Sequence, residues 1–188
     1  MNDIRRAVGA ALVAVVTVVP GVRGQDVRDA YFRAVAEYFD LPAGEISILG
    51  EWRMPADEIP VVLFLAHHAG VSPEAIVALR RSGRGWSELA GRYQVDAAQF
   101  YVPIPEGASG GILESAYDRY RSVPTPNWSQ VQLADRDIVS LVNLRVLSQT
   151  LHLAPEVVLA AAGDGSWVEV YARLLGDPET SPEETTPP

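Results

Sequence analysis

RRSGRGWSELAGRYQVDAAQFYV, residues 80–102, is the stretch on which the fold turns. Two arginines close one helix, and Gly83 and Gly85 make a turn. A short amphipathic helix then runs from Trp86 to Tyr93, followed by Val95, an acidic residue at a capping position and the apolar pair Phe100-Tyr101. Upstream, Ser72-Pro73-Glu74 places cap, proline and acid in the order that starts a helix, and that helix carries Ile76 and Leu79. Before it, Asp57 and Glu58 suit the positive end of a helix dipole. The run from Ile59 to Ala66 is almost wholly apolar, as expected of a helix buried on most sides, and Gly70 ends it. Pro60 falls in its first turn, where a missing N–H does little harm.

Trp86, Leu89, Ala90, Tyr93, Val95 and Phe100 fall on the apolar positions of a helix-turn-helix core. Any three-helix corner asks for the same pattern. A DNA reader also needs polar or basic side chains on the exposed face of its second helix. The candidate, Asp96-Ala97-Ala98-Gln99-Phe100-Tyr101, has no arginine, offers only Gln99 to a base edge, and is cut short at Pro103. Without several phosphate contacts, binding would be weak. The corner is therefore read as architectural. Nucleic acid is not expected as a partner, and a nucleic-acid-binding role is the minor alternative that applies only if the chain stays in the cytosol.

A second stretch repeats the first. Asp135 to Leu151 is a long apolar helix like Asp57 to Ala66, and Ala154-Pro155-Glu156-Val157-Val158-Leu159-Ala160 parallels Ser72-Pro73-Glu74-Ala75-Ile76-Val77-Ala78. Each is followed by two glycines (Gly83 and Gly85, Gly163 and Gly165) and then by a tryptophan, a glutamate and an arginine: Trp86, Glu88 and Arg92 against Trp167, Glu169 and Arg173. The alignment deletes one residue from the second turn and lengthens the leading helix by about a turn. Internal duplication is the expectation, with the commonness of Ser/Ala-Pro-Glu helix starts as the alternative. A tryptophan directly after a glycine turn is placed to pack across the joint of two helices.

The fold class expected is all-α: a small domain of about seven short helices, with two similar corners joined by a Pro/Gly-rich middle. An N-terminal helical part covers 25–105 and opens with a helix over Gln25 to Leu41, where apolar residues recur at helical spacing. Ile46-Ser47-Ile48-Leu49 reads as partly extended, and Phe100 to Pro105 as an extended strap. Residues 106–130 form a connector with one short helix over Ile112 to Tyr120 and a stiff stretch at Pro124, Pro126 and Trp128. The C-terminal helical part is 131–175. Residues 176–188 are acidic and rich in Pro and Thr, and have too little apolar surface to fold.

Residues 1–24 read as a secretory signal peptide. Arg5, Arg6 and the amino terminus give a positive start, Ala7 to Val19 is apolar or small, Pro20-Gly21 breaks the run, and small residues precede a cleavage point before Gln25. The run is short for a membrane span, which needs about 20 apolar residues. The chain has no cysteine, so neither a disulfide nor a lipidated leader cysteine is possible. All 15 basic residues are arginine, which with abundant Ala, Gly and Pro points to a GC-rich bacterial genome. The net charge of −9 falls to about −11 once three arginines and one aspartate leave with the leader, which repels polyanions on average. About 160 residues remain, enough to bury about two-thirds of the unfolded surface in one core.

Few residues advertise chemistry. Arg80, Arg81, Arg84 and Arg92 form the one local basic cluster, either an anion or partner patch or a complement to a helix C-terminus. Asn143 and Arg145 interrupt an apolar helix and are expected in a buried polar network with a carboxylate such as Glu37 or Glu114. His67 and His68 point about 100° apart on a helix, so they do not chelate one metal. No metal or cofactor is expected, and no catalytic residue is assigned. Glu88 and Arg92 are spaced to pair along one helix, and Tyr101, Tyr117, Tyr120 and Trp128 read as exposed aromatics. The expectation is an exported, periplasmic or secreted, non-catalytic interaction or structural module, with an envelope protein or anionic ligand as partner. The alternative is a hydrolase of an envelope polymer with Glu45 or Glu58 as the acid, since glycan cleavage needs two facing carboxylates.

Overall fold

The computed structural model describes residues 24–42 and 45–176. Residues 1–23, which carry all but the last position of the expected signal peptide, and the acidic stretch from residue 177 lie outside the described residues. The described chain is all-α, with no strand among the described residues. The helices are α1 (Gly24–Tyr38), α2 (Ile46–Glu51), α3 (Ile59–Ala69), α4 (Pro73–Arg81), α5 (Trp86–Arg92), α6 (Ala97–Phe100), α7 (Glu114–Arg121), α8 (Asp135–Thr150), α9 (Pro155–Ala161) and α10 (Trp167–Gly176). Short 3-10 turns precede α3 (Ala56–Glu58) and α7 (Gly111–Leu113), and a longer one covers Thr125–Gln130.

That is more than seven helices, and the surplus has identifiable causes. Ile46 to Leu49 lies in a helix, not an extended segment. Short apolar runs do not distinguish the two states by pattern. Burial does: Leu49 and Trp52, three apart, are both in the core. The second addition, α6, is a single turn held by a full capping box, in which the Asp96 carboxylate accepts from the Ala98 N–H (2.9 Å) and the Gln99 side chain accepts from the Asp96 N–H (2.7 Å). It turns Ala97 and Phe100 inward.

The apolar helix α3 is buried from Ile59 through Ala66 and stops at Gly70, whose φ of 65° is the left-handed conformation glycine adopts without strain. It packs on α8, the other central helix, whose Leu141, Val142, Leu144, Val146 and Leu147 are all buried. Around this pair lie α1 and α10 on one side and α4, α5 and α6 on another. A single hydrophobic core runs from Tyr31 to Leu174 and takes residues from both corners and from the connector.

The aromatics of the connector are inside that core. Tyr117 and Tyr120 are 2% and 1% exposed, and Tyr101 and Trp128 are half-buried against them. The Tyr101 ring lies 4.1 Å from Trp128 and 4.9 Å from Tyr120, centroid to centroid. Three of the four polar tips are satisfied by carbonyls: Tyr117 donates to that of Val102 (2.8 Å), Tyr120 to that of Ala97 (2.6 Å), and the Trp128 indole to that of Tyr120 (3.0 Å). The reading of these four as exposed is corrected. They are the clamp that folds the Pro-rich strap onto α7, because a ring with one polar atom can bury its body once a carbonyl takes that atom.

Candidate functional site

The two corners meet at a cleft of about 410 Å³. It is lined by Asp57, Glu58, Arg80, Trp86, Asp135, Arg136 and Trp167, among others. Trp86 and Trp167 occupy the same place in their corners, at the first turn of the third helix, and are 0% and 4% exposed.

The polar groups of this cleft are arranged crosswise. Asp57 precedes α3 in the first corner, yet its carboxylate accepts the Trp167 N–H at the start of α10 in the second (3.0 Å). Asp135 opens α8 in the second corner, yet it accepts the Ser87 N–H (2.9 Å) and hydroxyl (3.0 Å) at the start of α5 in the first. Helix starts leave N–H groups without partners, and a carboxylate there is favoured both by hydrogen bonding and by the helix dipole. In α5 the local cap position is Gly85, which has no side chain to offer. A Cβ there would stand 3.0 Å from the Asp135 carboxylate, so the absent side chain is also what admits the distant one.

Arg80 bridges the same groups. It binds Glu58 through two nitrogens (3.0 and 2.5 Å), lies 3.7 Å from Asp135, and stacks 4.8 Å over the Trp86 ring. The bonds to Glu58 hold its pKa above the ordinary value. The carboxylates of Asp57 and Asp135 are pushed apart. Burial raises Asp57 above the usual range, with the Trp167 and Val168 N–H groups offsetting only part of it and the charges of Glu169 and Glu58 adding to it. Burial would raise Asp135 as well, but the Ser87 and Trp86 N–H groups, the Ser87 hydroxyl and Arg80 together outweigh it and hold Asp135 below that range.

A buried string of hydrogen bonds extends from the cleft into the core. Asn143, 0% exposed, donates to the Asp57 carbonyl (2.8 Å) and to the Val139 carbonyl (2.8 Å), and accepts from the Tyr31 hydroxyl (2.5 Å). Burial, and secondarily the Asp57 charge, pushes the Tyr31 hydroxyl well above its ordinary pKa, so Tyr31 is the donor. One amide thus joins α1, α8 and the turn before α3. Asn143 is in a buried network as expected, but its partners are a hydroxyl and carbonyls, not Glu37 or Glu114. Glu37 is exposed, and Glu114 accepts from the Gly110 N–H (2.6 Å) and pairs with Arg121 (2.5 Å). Arg145 belongs to a different place: it donates to the Gln99 and Tyr101 carbonyls (2.8 Å each) and lies 5.3 Å over the Phe64 ring. Two residues apart on a helix face different ways, which is why one network becomes two.

The remaining arginines of the basic cluster are spread out. Arg81 donates to the Trp52 carbonyl, Arg84 pairs with Glu88, and Arg92 is exposed beside the Tyr93 ring (6.0 Å). Glu88 therefore takes the arginine one turn before it, not Arg92 one turn after. His68 sits 4.2 Å from the Phe64 ring with Gln99 at 3.3 Å, and burial, His67 and the Arg145 charge lower its pKa. No group of metal-ligating side chains occurs among the described residues, and no described helix is long and apolar enough to cross a membrane.

Asp57, Asp135 and Arg80 as a set were missed by the sequence reading. The signal available was the acid heading each corner's first helix; its target, 110 or 48 residues away, was not. Comparison with protein-family models, curated proteins and solved structures finds no match. The chemistry of the cleft is therefore read from its geometry.

Proposed function

We propose that this chain is an exported bacterial module, periplasmic or secreted, that acts by binding and not by catalysis. One observation carries the non-catalytic part. The three carboxylates of the central cleft are each engaged in holding the fold: Asp57 on α10, Asp135 on α5 and Glu58 on Arg80. A general acid or nucleophile must present its oxygen to a substrate. Here the oxygens of Asp57 and Asp135 latch the corners together, and those of Glu58 hold Arg80. Internal duplication is part of the same proposal, and the reciprocal caps, Asp57 on α10 and Asp135 on α5, are the contacts two copies of one corner would exchange. Export rests on the leader pattern at residues 1–24.

A second reading, hydrolysis of an envelope polymer, draws on the opposite displacement of Asp57 and Asp135 in one cleft, the arrangement that separates an acid from a base. It takes Asp57 as the acid in place of Glu45, which is exposed and does not line the cleft, or of Glu58, which Arg80 holds. Two measurements test these statements. Cell fractionation with N-terminal sequencing should recover the chain outside the cytosol, beginning at Gln25; an intact chain in the cytosol overturns export. Incubation of the purified protein with peptidoglycan and envelope polysaccharide should release no soluble fragments. Release that Asp57→Asn abolishes would establish the hydrolase instead.

A further inference from the structure

Beyond the cleft, α8 lines a second and smaller cavity of about 270 Å³, whose walls include Tyr101, Pro103, Arg145, Ser148, Leu153 and Pro155. We propose that it binds a small organic acid, with the carboxylate on Arg145 and the apolar body against Tyr101, Pro103 and Leu153. This deepens the binding-module reading and rests on it.

The argument begins with charge. Arg145 is half-buried in a chain of net charge −9, yet it makes no ion pair among the described residues. Arg80 and Arg119, the other arginines that reach into the core, each have a carboxylate. A partly desolvated cation without a counter-ion is a standing cost that an anionic ligand removes. No carboxylate lines the cavity, so nothing in its wall competes.

Geometry adds direction. The Nη2 atom of Arg145 is fixed by the Gln99 and Tyr101 carbonyls at 2.8 Å, which sets the plane of the guanidinium in advance. Its Nε and Nη1 donors have no protein partner among the described residues, and each can give a carboxylate oxygen a single charge-assisted hydrogen bond. One turn along the same helix, Ser148 is 8% exposed and its buried hydroxyl has no hydrogen-bond partner. Orphaned buried hydroxyls are uncommon and mark a missing partner. The other walls are a tyrosine ring, two prolines and a leucine, which suit an apolar body. The volume lies just below the range of about 300–1,000 Å³ usual for drug-sized ligands, so the occupant is small.

The carboxylate could come from a free acid or from the last residue of a peptide, and the test separates them. Chemical shifts of the Arg145 Nε–H and the Ser148 amide are followed by NMR on the exported form of the chain. The probes are phenylacetate and phenylacetamide, and the tripeptide Ala-Ala-Phe with a free or an amidated C-terminus. Saturable shifts with phenylacetate, the tripeptide acid or both, and none with the amides, are expected; the tighter of the two acids identifies the source. Arg145→Gln should weaken binding at least about tenfold, the loss of one charge-assisted pair. Leu153→Trp fills the cavity while leaving the guanidinium intact, and should abolish the shifts even if Arg145→Gln fails to fold. Equal response to acid and amide overturns the proposal. So does unchanged binding in Leu153→Trp, or no saturable shift with either acid at about 10 mM, where even a Kd of about 1 mM approaches saturation. Failure here leaves the polymer-release assay, and the non-catalytic reading it tests, standing.

Discussion

Removing the Asp135 carboxylate, in Asp135→Ala, should loosen a helix in the other corner. The change deletes the bonds to the Ser87 N–H and hydroxyl and one charge near Arg80. Losing a helix cap costs about 0.5–2 kcal/mol. The Arg80 contact adds little, because at 3.7 Å and with the Asp135 side chain 39% exposed it is screened by water. A total of about 1.5 kcal/mol follows, or a fall in Tm of about 3–6 °C for a chain of this size. The decisive assay is amide hydrogen exchange. Asp135→Ala should speed exchange at Trp86 and Ser87, 48 residues away in sequence, and leave Trp167 protected. Asp57→Ala should do the reverse, exposing Trp167 and Val168 and sparing Ser87. If each substitution instead frays only the start of its own neighbouring helix, the crosswise latch is wrong.

Three further outcomes follow from the same contacts. Asp57 has a raised folded pKa, so the folded state holds its proton more tightly than the unfolded one and its contribution to stability falls as pH rises from the unfolded to the folded value; Asp135 has a lowered one, and its contribution is lost as pH drops below the ordinary carboxylate range through that value. Urea melts across acidic pH should therefore show Asp57→Asn losing less stability than wild type as pH rises through the weakly acidic range, and an unchanged slope would refute the assignment. Asn143→Ala strands the Tyr31 hydroxyl and the Asp57 carbonyl in the core and should cost about 2–4 kcal/mol in denaturant unfolding, whereas a loss below about 0.5 would show that the string is not buried as described. Gly85→Ala pushes a methyl to 3.0 Å from Asp135 and should cost about 1 kcal/mol in wild type but much less in Asp135→Ala, a non-additivity that a double-mutant cycle reads directly.

Much of the fold could be read before any coordinate. Ser72-Pro73-Glu74 starts α4 one residue after the expected cap, Gly70 ends α3 with positive φ, and the apolar run after Asp57 is buried throughout. Trp86 and Trp167 pack inside their corners as the glycine turns implied. The misses have a common cause. Ile46 to Leu49, the burial of Tyr101, Tyr117, Tyr120 and Trp128, and the partners of Asn143 all depend on what lies opposite, and local pattern carries no information about that. Arg145 was picked out as a polar residue in an apolar helix, but not the wall of Tyr101, Pro103 and Leu153 around it.

By itself the sequence determined where helices start and stop, which faces are apolar and that two corners resemble each other, because caps, glycine turns and the 3.6-residue period act over a few residues. Tertiary structure alone decided that Asp57 serves α10 and Asp135 serves α5, and that Arg145 has no counter-ion among the described residues. Those pairings join groups far apart along the chain. They follow from how the corners pack, which places each carboxylate beside a helix start in the other corner.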